Sequence, residues 1–214
     1  MHKYVERKVP NAITFNTRVT GIKTVKDANQ DVIGIDVTTD NLSIERFSYV
    51  ISSIPLPVLR TIDLTGADLN PMQSNAIRQL TYGPSVKVGM QFKSAWWTTE
   101  TNRAGVKLNI IGGQTYSDSP LRTVVYPSFG DVQEGKTTTL IASYSWTDDA
   151  ERLGALATNE DLKSVLEELV LRELARIHDF DIQFLRGLLL ETHAWSWPHD
   201  PCTMGTPLSV RICF

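Results

Sequence analysis

The stretch Tyr82-Gly83-Pro84-Ser85-Val86-Lys87-Val88-Gly89-Met90-Gln91-Phe92 sets the architecture of the chain. Val86, Val88, Met90 and Phe92 alternate with Lys87, Gly89, Gln91 and Lys93, the period of a strand with one buried and one open face. Tyr82-Gly83-Pro84 closes the element before it, so this strand opens a second sheet.

Upstream, the first sixty residues read as a meander of short strands. Ile13 and Phe15 alternate with polar residues. A run from Arg18 to Val25, a polar turn at 26–31, and alternating Ile33, Ile35 and Val37 follow. A second polar turn at 39–42 leads into Ile44 to Ile51, whose last part, Tyr49-Val50-Ile51, is continuously apolar and predicts burial on both faces. Pro55 and Pro57 end the sheet. Asn70 as N-cap and Pro71 at the first position predict a helix with Met72, Ala76, Ile77 and Leu80 on its apolar face.

Downstream, strands are expected at 106–111, 122–126 and 137–146. Thr158 and Asp161 have the spacing of a capping box, before an apolar stripe of Leu162, Val165, Leu166, Leu169, Val170, Leu174 and Ile177. Glu168 and Arg172 are spaced for an ion pair along that helix. Strands, helix, strands, helix and an aromatic-rich tail make an α+β architecture.

Among 214 residues, 42% hydrophobic and 21% charged is enough to bury a core and excludes a disordered chain. A net charge of −3 without a basic block excludes an electrostatic footprint for nucleic acid or an anionic membrane. No apolar run has the length of a membrane span, and residues 1–10 lack the apolar core of a signal peptide, which makes the cytoplasm the default compartment. Cys202 and Cys213 are too close together to frame the fold with a disulfide. GxGxxG, phosphate-loop, HExxH and GxSxG signatures do not occur. His193, His199, Asp200 and Cys202 cluster without a familiar zinc spacing, and a structured loop is the favoured reading.

Three separated stretches resemble the flavin-containing amine oxidase family, particularly its fungal and bacterial L-amino-acid oxidase branch. They are residues 13–22 together with 49–55; the stretch 82–92 leading into Trp96-Trp97; and His193-Ala194-Trp195-Ser196-Trp197 followed by Asp200-Pro201, Thr203-Met204 and Gly205. The resemblance implies an incomplete α+β fold. Residues 1–57 would be a β-meander remnant of an FAD-binding domain, 58–190 a mixed-sheet substrate domain with packed helices, and 191–214 a returning segment that is truncated.

The resemblance also implies site residues. Read alone, Lys87 is a solvated charge on a polar strand face; by resemblance it matches the lysine that approaches the flavin through a water and assists reoxidation by oxygen. Trp195 reads as a packing aromatic and, by resemblance, as a wall of the flavin and substrate cavity; the two are compatible. Val19 matches the residue whose backbone meets the adenine, although its strand reads equally as sheet core. Trp96, Trp97 and Trp197 read as packing.

The implied cofactor is FAD, the implied substrate a small amine or L-amino acid, and the implied reaction hydride transfer to the flavin with reoxidation by oxygen to hydrogen peroxide. The family's glycine-rich pyrophosphate cradle and its later flavin-contacting helix have no match here, and residues 206–214 depart from the family pattern. The expectation is therefore an isolated chain that is partly folded and inactive, or a remnant or interaction module without flavin.

Overall fold

The computed structural model describes residues 7–10, 12–129 and 138–206. Residues 1–6, Cys213 and the divergent stretch after Thr206 lie outside them. The chain forms two compact units that part between Thr81 and Tyr82. Together they are α+β with antiparallel sheets. No helix among the described residues is long and apolar enough to cross a membrane.

The first unit holds a three-stranded antiparallel sheet, β1 (Val19–Lys26), β2 (Val32–Thr39) and β3 (Ile44–Phe47), in that order. Its first turn is held by Asp27, whose carboxylate accepts the amides of Asn29 and Asp31 at 2.8 and 2.9 Å. On the free edge of β1, Ile22 and Thr24 donate to the carbonyls of Asp63 and Gly66 at 2.9 and 2.8 Å. Helices α1 (Leu56–Leu59) and α2 (Pro71–Gln79) also belong to the unit. The cap of α2 is the expected Asn70, extended to a full capping box by Gln73, whose side chain accepts the Asn70 amide at 2.9 Å.

Two expectations for this unit need correction. Residues 13–17 form no strand, and Phe15 is exposed. The last sheet pairing of β3 is Phe47 with Ile35; nothing described covers the chain beyond it, so Tyr49 and Ile51 are exposed, the latter at 96%. The apolar face of α2 is also open: no residue of that helix is buried, and Met72 is 82% exposed.

The second unit is built on a five-stranded antiparallel sheet of β4 (Ser85–Phe92), β5 (Gln114–Tyr116), β6 (Thr123–Val125), β7 (Thr138–Trp146) and β8 (Leu189–Ser196), ordered β5-β6-β7-β4-β8. The alternation of β4 is realised in full, with Val86, Val88, Met90 and Phe92 all fully buried. Among the described residues this unit has the α-helices α3 (Trp96–Thr99), α4 (Thr147–Ala157), α5 (Lys163–His178) and α6 (Ile182–Leu188). Trp96 and Trp97 meet edge-to-face at 5.4 Å and each meets Phe92 the same way, at 5.9 and 6.2 Å. Both indoles are fully buried, as packing residues should be.

Here too the structure departs from expectation. Residues 106–111 carry only an isolated bridge, Thr101 to Lys107, and the edge strand is β5 instead. Thr158 does not open a capping box: it ends α4, its hydroxyl donating to the Gly154 carbonyl, and Asn159 caps a short 3-10 turn that leads into α5. Glu168 does not reach Arg172. It pairs with Arg186 of α6, while Arg172 lies beside Glu173. The buried side of α5 is Leu166, Val170, Leu171, Leu174 and Ala175, leaving Val165 on the surface.

One buried polar chain ties α5 to the sheet. His178, 5% exposed, meets the hydroxyl of Tyr126 through Nε2 and the carbonyl of Leu174 through Nδ1, and Thr115 joins the Tyr126 hydroxyl at 2.9 Å. Nδ1–H is the donor to that carbonyl, which leaves Nε2 to accept from the tyrosine. Desolvation depresses the His178 pKa against the opposing pull of the Leu174 carbonyl, and desolvation raises that of Tyr126.

Two measurements check this packing. Met90→Ala should lower unfolding free energy by about 2–5 kcal/mol, whereas Met72→Ala should change it by less than about 0.5 kcal/mol, both read from urea denaturation. The neutral His178 ring sets a pH dependence. Its folded pKa lies below the unfolded value of about 6.5, so its contribution is complete above that value and lost as pH falls below it. The urea midpoint should therefore drop between about pH 7 and about pH 5. His178→Gln should be less stable at neutral pH and show a shallower acid slope.

Candidate functional site

With its even-numbered side chains in the core, β4 must turn Lys87, Gly89 and Gln91 outward. Pairing with β8 sets Trp195 opposite Lys87, His193 opposite Gly89 and Glu191 opposite Gln91. Pairing with β7 sets Tyr144 opposite Lys87 and Ile141 opposite Gly89. These two ladders floor an open groove of about 430 Å³, lined by Lys87, Gly89, Gln91, Thr139, Ile141, Glu191, His193 and Trp195.

The Lys87 ammonium lies 4.8 Å from the centre of the Tyr144 ring. Trp195 is 44% exposed, stands edge-to-face on Trp197 at 6.1 Å and lies nearly parallel to His193 at 6.3 Å. Gly89 keeps the floor low: a Cβ there would meet nothing nearer than the His193 carbonyl at 3.7 Å. The arrangement offers an amine, an imidazole and a carboxylate around a flat, partly apolar bed, suited to a planar ring and a small polar substrate.

Lys87 and Trp195 therefore converge on one cavity, as cross-strand neighbours. Val19 opens β1 in the other compact unit, half-buried and paired with Thr39. The residues of the cysteine–histidine cluster have separate roles. His193 faces Trp195, His199 Nδ1 is 2.8 Å from the Ser196 hydroxyl, and Asp200 accepts the Cys202 amide at 2.7 Å. No group of three or more metal-ligating side chains gathers among the described residues. Tyr144, Glu191 and Gln91 were not read from the sequence. Gln91 was legible by its phase with Lys87; Tyr144 was not, because its placement depends on a bulge.

Trp195 and His193 give the bed aromatic flanks and Lys87 gives it an amine, groups against which the ring system of a flavin can pack. The pyrophosphate half has no cradle among the described residues. Gly112 and Gly113, at φ of 68° and 81°, form a turn that leads into strand β5 and not into a helix N-terminus.

A profile described as flavin containing amine oxidoreductase matches residues 1–210. L-amino-acid oxidase 4 of Hebeloma cylindrosporum is 45% identical over 204 residues, which cover 94% of this chain and 32% of that protein. The flavin-dependent L-tryptophan oxidase RebO of Lentzea aerocolonigenes is 27% identical over 186 residues, covering 82% of this chain and 35% of that one. A putrescine oxidase bound to putrescine shares the fold with a TM-score of 0.66 at 16% identity, across 94% of this chain and 38% of its own. The chain thus spans about a third of the length of these relatives.

The openness of the groove has a direct optical consequence. Trp96 and Trp97 are sealed in the core, so Trp195→Phe should remove a disproportionate share of the tryptophan emission that acrylamide quenches, while Trp97→Phe should leave the quenchable share intact.

Proposed function

The chain belongs to the flavin containing amine oxidoreductase family, and we propose that it serves the oxidation of an L-amino acid at its α-carbon–nitrogen bond. The observation that carries this reading is the convergence of Lys87 and Trp195 on one open, glycine-floored groove. The products are an imine, which hydrolyses, and hydrogen peroxide. The L-amino-acid class is favoured over simple amines by the 45% identity to a fungal L-amino-acid oxidase.

When bound, FAD supplies the acceptor for the substrate hydride and passes the electrons to oxygen. The chain's own residues contribute position and environment. Trp195 presents a flat apolar wall that excludes water and orients the reacting carbon. Lys87 places a positive charge and a proton donor at the groove's edge, where it holds a water and favours negative charge developing on oxygen. Val19 offers its backbone amide and carbonyl to the adenine. On this assignment residues 1–57 belong to the FAD-binding part, 58–190 to the substrate domain and 191–214 to the returning segment. A non-catalytic interaction module is the second reading, favoured by the missing pyrophosphate cradle among the described residues.

The test is spectroscopic. Purified chain is incubated with FAD, freed of unbound cofactor, and titrated anaerobically with L-amino acids and with putrescine. Retained flavin bands that bleach with an L-amino acid and return with oxygen are the expected result. Lys87→Met should leave bleaching intact and slow the return by about a hundredfold or more. Colourless protein would overturn cofactor binding by this chain, and retained flavin that no L-amino acid bleaches would overturn the substrate class.

A further inference from the structure

We infer that Tyr144 is a positioning residue for Lys87, its ring face holding the ammonium at the Trp195 end of the groove. The pairing of β4 with β7 changes register between Val88 and Gly89: Gly89 faces Ile141, yet Val88 faces Ser143. Ala142 is the extra residue, a bulge on β7. With an unbroken ladder, the residue two beyond Ile141 would face Lys87, and that is Ser143. The bulge instead turns Ser143 into the core, where its hydroxyl donates to the Leu121 carbonyl at 3.0 Å, and brings Tyr144 opposite Lys87.

The contact is built on a fixed support. Tyr144 pairs through its backbone with Lys87 on one edge and Thr123 on the other, and its ring packs on Trp146 at 5.0 Å. Lys87 has a flexible four-carbon stem and forms no ion pair with any described carboxylate, so the ring 4.8 Å away is what restrains its charge. A ring face attracts an ammonium through its quadrupole, and the hydroxyl is not required for this. Any effect on oxygen chemistry rests on the reading of Lys87 given above; the restraint itself does not.

The experiment uses the full chain and reads Lys87 first without any cofactor. Acetylation of Lys87, quantified by peptide mass spectrometry against Lys107 as an internal exposed standard, should proceed at the wild-type rate in Tyr144→Phe. It should rise roughly two- to five-fold in Tyr144→Leu. Where the leucine variant does not fold, mono-, di- and trifluorinated phenylalanine at position 144 weaken the ring quadrupole at nearly constant size. A graded rise in Lys87 acetylation across that series supports the inference, and a flat series overturns it. With flavin bound, the leucine or trifluoro variant should slow reoxidation by oxygen while substrate bleaching is unchanged. Faster acetylation with unaltered reoxidation would leave the Tyr144 restraint standing and overturn the oxygen role of Lys87.

Discussion

A strand paired on both edges has no freedom to roll, and β4 is such a strand: β7 and β8 hold its two ladders along nearly its whole length. Its four apolar side chains are fully buried against the tryptophan pair and the helices of the second unit. Rotating or slipping the strand by one residue would bring Lys87 and Gln91 into that core, at the cost of an unpaired buried charge. The outward direction of Lys87, Gly89 and Gln91 is thus a consequence of core packing, and the groove exists because the core does.

The neighbouring strands complete the groove by different means. β8 carries Trp195, His193 and Glu191 in simple alternation, so the whole outer row is set once the register with β4 is set. β7 reaches the same face only by breaking its alternation at Ala142, which lets Ser143 and Ser145 turn inward and satisfy one another and the Leu121 and Pro120 carbonyls. Two hydroxyls buried with partners are tolerated where unpaired ones would not be. The bulge therefore exchanges a serine for a tyrosine beside the Lys87 ammonium.

The two units differ in how fully they cover their own apolar residues. The second buries aromatic clusters and a hydrogen-bonded histidine; the first leaves Leu42, Tyr49 and Ile51 open outside its strands and Met72 open on a capped helix. Local signals suffice to form those elements, as the Asn70–Gln73 capping box shows, because capping satisfies backbone groups without requiring a tertiary partner. Burial of an apolar face does require one. That is why the sequence was enough to show α2 as a helix, while the tertiary structure decided that its apolar face stays open.

The sequence alone determined what depends on neighbours two to four residues away: the alternation of β4, the Asn70 cap of α2, the apolar stripe of α5, and the α+β order of elements. Its motifs also sufficed to place the chain in its family. Lys87 was legible as an outward residue of a strand and Trp195 as an aromatic of the tail, but not that they are cross-strand partners, since register between strands a hundred residues apart is written in no local pattern. Only the tertiary structure decided that the tail is a fifth strand, that Tyr144 lies against Lys87, that Glu168 pairs with Arg186, and that His178 is buried beneath Tyr126. Each of these rests on long-range packing, where the energy of a contact depends on which distant residues the fold has already brought beside it.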